Sequence, residues 1–439
     1  MQRLQSRLKL STKYVLMHNH ILQKQERKKG KEEKRNNMKY LVVLGDGMAD
    51  EPIEEIGGKT PLMYAKTPVM DALAPKSEIG LAHTIPEGMK PGSDTANLAV
   101  LGYDPKKYYT GRSPLEALSI GVPMKETDIA IRCNIVTVSD DDLPYEEKTI
   151  IDHSSSEIST EDAAVLMEAI QKEMNDEIYQ YYVGTSYRHL TIWDKGEVVE
   201  LTPPHDVLGR VIGQYLPQDE KLRDMMKRSY DILNNHPLNV ERAKKGLNKA
   251  NSLWFWGAGT KPVLDSFEGK FHKKGAMISA VDLLKGIAVG AQMTNIEVPG
   301  ADGTLETNWE GKADAAVKAL LEDDFDFVYI HMEAPDEMGH QGSLERKVKA
   351  IEYLDSRVLS KVVEKMKESG EDYRMLVMPD HPTPIACRTH TSDPVPYMLY
   401  DSRVDKKFNG LYNEADAKNS GVVVEQGYTL MSKLLESAQ

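Results

Sequence analysis

Residues Tyr373 to Tyr397 read Y-R-M-L-V-M-P-D-H-P-T-P-I-A-C-R-T-H-T-S-D-P-V-P-Y. The apolar run Met375 to Met378 has the length and residue types of a buried strand. Pro379 ends regular structure, because it has no N–H to give and a fixed φ. Asp380 and His381 follow at once. Neighbouring side chains on a strand point to opposite faces, but a loop beyond its end can turn both toward one point. His390 comes nine residues later, among Pro and Thr. A carboxylate and two imidazoles just past a buried strand are ligands of the kind Mn, Zn or Mg takes. Two ordinary histidines on a polar loop would read the same in isolation. What separates the readings is that the chain repeats the arrangement elsewhere.

With 439 residues the chain is too long for one ordinary domain. Net charge is −13. Residues 1–37 hold eleven Lys and Arg against three Glu, a net of +8, so the remainder carries −21. Such a body argues against nonspecific binding to nucleic acid or anionic membranes, and must gather its arginines locally to hold an anion. Two cysteines, Cys133 and Cys387, are too few for a disulfide framework and fit a reducing cytoplasm. No apolar run approaches the ~20 residues of a membrane span.

Residues 1–37 form a charge run without apolar periodicity and are expected to be disordered. Met38 is the expected natural start, and a basic tail with a binding role is the alternative. Tyr40 to Leu44 predicts the first buried strand. Gly45-Asp46-Gly47 follows, so Asp46 stands beyond a strand end as Asp380 does. Pro91-Gly92 precedes S-D-T-A-N-L-A-V-L, a short helix with Ser93 or Asp94 as its cap. A serine at a helix N-terminus meets aligned N–H groups, a suitable place for a nucleophile that becomes phosphorylated. Ser113-Pro114 is expected to open another helix.

From Glu126 to Gly246 the pattern becomes that of a small α+β unit. Its Arg132, His153, Arg188, His189, His205 and Arg210 are the groups a phosphate and a carboxylate require. Asn251 to Gly257 is expected to return to the first unit. Phe325 to Met332 is a strong strand, followed by E-A-P-D-E-M-G-H. Asp336 and His340 are four apart, which on a helical turn places them within roughly 5–6 Å. A long amphipathic helix is expected over Leu344 to Met366.

Asp46, Asp336 and Asp380 thus each follow a buried strand, and in open α/β sheets ligands bind outside the carboxyl ends of the strands. His340, His381 and His390 accompany two of them. Six such groups suit a pair of ions ~3.5–4 Å apart.

Five separated motifs, G-D-G-M-A-D, P-G-S-D-T-A-N-L-A-V-L-G-Y-D-P, T-G-R-S-P-L-E-A, P-D-E-M-G-H and P-D-H-P-T-P, together resemble the archaeal-type cofactor-independent phosphoglycerate mutases of the alkaline phosphatase superfamily. The resemblance covers nearly everything from Met38 onward. It implies an α/β, alkaline-phosphatase-like doubly wound sheet (38–125 and 247–439) with an inserted α+β substrate domain (126–246). It implies that Asp46, Ser93, Asp380 and His381 hold one divalent ion and Asp336, His340 and His390 the other. Manganese is the first expectation, with magnesium, zinc or cobalt as alternatives. Ser93 would be the nucleophile that takes the phosphoryl group of 3-phosphoglycerate and returns it to the other hydroxyl. His153, Arg188 and Arg132 would hold the substrate. The implied enzyme is cytoplasmic, with a small-molecule substrate and neither nucleic acid nor membrane as partner. The motifs leave open a phosphotransferase or kinase acting on another small hydroxyl compound such as homoserine, or a plain phosphate-ester hydrolase.

Overall fold

The computed structural model describes residues 38–404 and 406–436. The basic leader 1–37 lies outside them. In chain order the strands are β1 (Lys39–Gly45), β2 (Ser77–Ala82), β3 (Ile129–Val138), β4 (Ile150–Asp152), β5 (Tyr179–Tyr182), β6 (Arg188–Trp193), β7 (Ser252–Thr260), β8 (Gly275–Ile278), β9 (Thr294–Asn295), β10 (Phe327–Met332), β11 (Tyr373–Met378), β12 (Val395–Asp401) and β13 (Val423–Val424). The helices that shape the site are α1 (Ser93–Val100), α2 (Arg112–Ser119), α3 (Thr160–Met174), α4 (Glu220–Leu233), α5 (Asp282–Gly290), α6 (Trp309–Leu321), α7 (Ala334–His340), α8 (Leu344–Tyr353) and α9 (Ser360–Ser369).

Eight strands form the larger sheet in the order β13-β2-β12-β11-β1-β10-β8-β9. The pairs of β1 with β10 and β11, and of β10 with β8, are parallel. Within the doubly wound sheet expected for this unit, β12 runs antiparallel to both β11 and β2, which makes the sheet mixed. Strands β1, β10 and β11 are buried along their whole length. Their alternate residues enter different cores. Leu41, Val43, Val328, Ile330, Met375 and Val377 pack on one face with α6 and α9 residues such as Trp309, Ala313 and Val362. Tyr40, Val42, Leu44, Tyr329, Leu376 and Met378 pack on the other with Leu98, Leu284 and Ile287. A sheet covered by helices on both sides asks for continuous apolar strands, which is why these segments read clearly as strands.

The smaller sheet has the order β4-β3-β6-β5, with β7 paired along β3. Ile131, Cys133 and Ile135 of β3 pack with α3 and α4 through Leu166, Met167, Leu222 and Met226. No strand between Glu126 and Gly246 joins the larger sheet. Strand β7, expected in the larger unit, is antiparallel to β3 from Ile129↔Thr260 to Val136↔Ser252. The second crossing between the sheets therefore falls after Thr260 rather than near residue 247. The rod expected over Leu344 to Met366 runs to Ser369 and contains a π-helical stretch at Leu354–Leu359. There the buried Asp355 accepts from the N–H groups of Val69 and Met70 at 3.1 and 2.8 Å.

Helix α2 ties the two sheets together. Leu115 sits in the core of the larger sheet, while Ala117 packs with Ala130, Leu190 and Ile192 of the smaller one. Its approach to α5 is close: a Cβ on Gly286 would stand 1.8 Å from the Leu115 carbonyl oxygen. Gly286→Ala is therefore expected to force these helices apart and to cost about 3 kcal/mol, the upper part of the overpacking range. Urea denaturation followed by circular dichroism checks it; an unchanged midpoint would contradict the packing described.

Candidate metal centre and substrate chamber

The turn after β1 is set by glycine. Gly47 has φ +59°, and a Cβ there would lie 2.5 Å from Thr383 Oγ1 and 2.6 Å from Asp336 Oδ1. This close approach brings the β1 and β10 loops together. The Gly47 N–H donates to Asp380 Oδ1 at 3.1 Å, linking in the β11 loop. Asp46 and Asp380 follow their strands closely, whereas Asp336 is inside α7, four residues past β10. All three are buried, at 2%, 0% and 6% exposure.

Ser93 is the first residue of α1, and Gly92, rather than Ser93 or Asp94, is the cap. The Ser93 hydroxyl lies 3.0 Å from His381 Nε2. Burial holds the His381 imidazole below its usual value. Nδ1 stands 3.3 Å from both the Pro382 carbonyl oxygen and the Thr383 hydroxyl, leaving Nε2 on the Ser93 side of the ring. That nitrogen is also 3.5 Å from Asp46 Oδ1 and 3.4 Å from Asp380 Oδ2. Asp46, Asp380 and His381 thus offer three ligand atoms within 4.8 Å of one another, and so do Asp336, His381 and His390. His340 joins the second group: its Nε2 is 3.3 Å from Asp336 Oδ2 and 3.0 Å from His390 Nε2. Its Nδ1 is 2.9 Å from the Arg388 carbonyl oxygen, a contact that fixes the ring. The six Asp and His residues singled out from sequence, with Ser93, are therefore assembled at one rim.

The donor set fits divalent cations. Asp46 Oδ1 is buried and has no hydrogen-bond partner. Among the described residues no Lys or Arg pairs with Asp46, Asp336 or Asp380; their only ion-pair partners are histidines. Burial, then the charges of Asp380 and Asp336, push the Asp46 carboxyl well above the usual range. Burial acts the same way on Asp336, but hydrogen bonds from His340 and His390 outweigh it and hold that carboxyl well below. Asp336 in turn raises His340 to about 9. Oxygen and imidazole ligands in this arrangement are the hard and borderline donors of a divalent ion.

Three supporting residues were not anticipated. Asn97 donates through Nδ2 to the Ser93 carbonyl and to Asp380 Oδ2, both at 2.8 Å, and accepts from Tyr329 at 2.6 Å. It lies one helical turn after Ser93, a spacing visible in the sequence. His331 Nε2 is 2.8 Å from Asp46 Oδ2, and its Nδ1 is 3.1 Å from the Ser279 hydroxyl. Its signal was a lone polar residue within the β10 run. Thr383, inside P-D-H-P-T-P, hydrogen-bonds Asp336.

Between α7 and the smaller sheet lies a chamber of 490 Å³, within the usual range for small-molecule sites. Arg112, Glu116, Arg132 and Arg188 line one side, and Glu333, Glu337 and Met338 another. Two of the three substrate candidates, Arg132 and Arg188, are thus placed on it. His153 is not among the lining residues; it packs edge-on against Tyr187 and near His205, at ring separations of 5.8 and 6.3 Å. Burial lowers Arg132 to about 10. Burial, then Glu337, lifts Glu333 to about 7.

Fold and site together define an α/β protein that gathers buried carboxylates and imidazoles beside a helix-opening serine, with an arginine-bearing chamber alongside. A family model described as 2,3-bisphosphoglycerate-independent phosphoglycerate mutase matches residues 74–239. A probable 2,3-bisphosphoglycerate-independent phosphoglycerate mutase of Geobacter sulfurreducens is 47% identical over 405 residues, 91% of this chain and 100% of that protein. A 2,3-bisphosphoglycerate-independent phosphoglycerate mutase of Methanosarcina barkeri is 46% identical over 406 residues, with the same coverage. Among solved structures, the PH0037 protein from Pyrococcus horikoshii superposes with a TM-score of 0.76 at 29% identity, over 92% of this chain and 98% of that one. The cofactor-independent phosphoglycerate mutase from Thermoplasma acidophilum gives 0.61 at 25%, over 91% and 99%. The chain belongs to the 2,3-bisphosphoglycerate-independent phosphoglycerate mutase family.

Two outcomes follow for the centre. Saturating divalent cation should raise thermal stability over the chelated protein, by about 2.7 kcal/mol at a hundredfold excess over Kd, as scanning calorimetry would read. Gly47→Ala should weaken that response, because the new methyl group collides with Asp336. A melting temperature indifferent to cations would rule out the assignment.

Proposed function

We propose that the protein interconverts 3-phosphoglycerate and 2-phosphoglycerate without 2,3-bisphosphoglycerate, through a phosphoserine at Ser93. The observation that carries this is the Ser93 hydroxyl, 3.0 Å from His381 Nε2, beside the converging oxygens of Asp46 and Asp380. Family membership points the same way. Asp46, Ser93, Asp380 and His381 would hold one divalent ion, and Asp336, His340 and His390 the second, with manganese first among the metals. Bound cations supply Lewis acidity, easing loss of the serine proton and screening the phosphoryl charge.

The protein's own groups do the rest. His381, neutral because it is buried, sets its Nε2 beside the serine oxygen, so that imidazole and hydroxyl would reach one ion together. Asn97 holds both Asp380 and the first turn of α1, so nucleophile and ligand keep one geometry. Arg132 and Arg188 receive the anions of the glycerate across the chamber, and guanidinium planes match phosphate and carboxylate alike. The segment 126–246, with β7, is the substrate-holding unit. Its closure on the larger sheet excludes water while the glycerate turns over. The reaction takes place in the cytoplasm on a small molecule; no helix among the described residues is long and apolar enough to cross a membrane.

The test is a coupled assay of the chain begun at Met38, with Mn and without bisphosphoglycerate. Ser93→Ala is expected to lose roughly a thousandfold or more in kcat, as removal of a nucleophile does, while retaining the cation-dependent rise in melting temperature. Wild-type protein quenched during turnover should show phosphoserine at position 93 by mass spectrometry. Full activity in the alanine variant would sink the nucleophile assignment.

A further inference from the structure

One carboxylate oxygen carries two guanidiniums in the wall of the chamber. Glu116 Oε1 accepts from Arg112 Nε at 3.0 Å and pairs with Arg132 at 2.9 Å. The arginines come from different elements, α2 and β3. Arg132 also lies over the Trp256 ring, 4.6 Å from its centroid. Helix α2 is fastened at its start: the Ser113 hydroxyl donates to the Gly257 carbonyl at 2.5 Å, and that of Thr110 to Thr260 at 2.7 Å. Both guanidiniums are thus ordered before a ligand arrives, which reduces the entropy lost on binding.

Their donors are not used up. Arg132 is 6% exposed, and its Nε is buried without a partner. The Arg112 side chain is 41% exposed and lines the chamber. Two cations on one anion leave the group at +1. Planar guanidiniums held as a fork match a carboxylate bidentately, while a phosphate dianion is better matched to the metal centre.

We propose that Arg112 is a substrate-binding residue which, with Arg132, takes the carboxylate of a phosphorylated hydroxy acid, and that Glu116 is the positioning residue that sets the pair as a fork. This rests on the phosphoglycerate reading of the site. It adds which anion this wall selects, and so why a phosphate ester without a carboxylate is a poor ligand.

The experiment is calorimetric titration of the metal-loaded full chain with two ligands, 2-phosphoglycolate and 2-hydroxyethyl phosphate. The second is the first with its carboxylate reduced to an alcohol. Wild type should prefer phosphoglycolate. Arg112→Met should cut that preference at least about tenfold, the scale of a lost charged hydrogen bond, and leave hydroxyethyl phosphate within about threefold; Glu116→Gln should also cut it, although it takes the pair from +1 to +2, because the fork loses the charged oxygen that sets it. Should the methionine variant fail to fold, Arg112→Lys keeps the charge without the planar fork and should also lose the preference. Equal weakening of both ligands, an unchanged ratio, or no preference in wild type overturns the proposal. Turnover is measured separately. A wild type that shows the preference yet does not interconvert phosphoglycerates overturns the mutase reading and leaves the carboxylate fork standing.

Discussion

Three buried carboxylates with no lysine or arginine among them are the constraint around which the rest of the rim is arranged. Charges of one sign this close and this dry are costly unless something positive is added. The fold answers locally with the N–H of Gly47, the amide of Asn97 and the imidazoles of His331, His340, His381 and His390. Each answers part of the charge; the unpartnered Asp46 oxygen is what remains. A cation bound at a site left short of positive charge would add to the stability of the fold, so cation affinity and folding would be coupled.

The second anion-handling feature is separate in space and in kind. The chamber wall uses arginines, fixed in charge and planar, where the rim uses groups that can lose a proton. The acidic body of the chain makes both features stand out. Against a strongly negative total, four arginines gathered at one chamber, among carboxylates, point to a ligand that needs guanidinium.

Much of this was legible before any coordinates. β1, β10 and β11 showed as apolar runs because helices cover both faces of their sheet, and Asp46 and Asp380 were found because they stand where such runs stop. Ser93 was found by the same logic at a helix start. What escaped depends on contacts between distant segments. The run L-W-F-W-G is a strand in any setting, and nothing in it says that it pairs with β3. The antiparallel course of β12 is likewise a matter of partner, not composition. His331 hides inside a strand that otherwise reads as core. Arg112 lies in a quoted motif, but the meeting of its helix neighbour Glu116, one turn along, with Arg132 of β3 is not visible there. His153 was assigned from its local word, and the chamber passes it by.

The order of strands across the larger sheet has a consequence for how the chain is made. Its centre is β1, the first strand to leave the ribosome, yet β1 pairs on either side with β10 and β11, which are among the last. Strands β3 to β7 are synthesised between them and complete their own sheet from nearly consecutive elements. The smaller unit can therefore finish folding while β1 is still waiting, with both apolar faces uncovered, for partners not yet translated. Throughout that interval the nascent chain carries an unpaired, largely apolar strand, the kind of segment chaperones bind. The rim carboxylates and imidazoles, drawn from both ends of the chain, come together only when the wait is over.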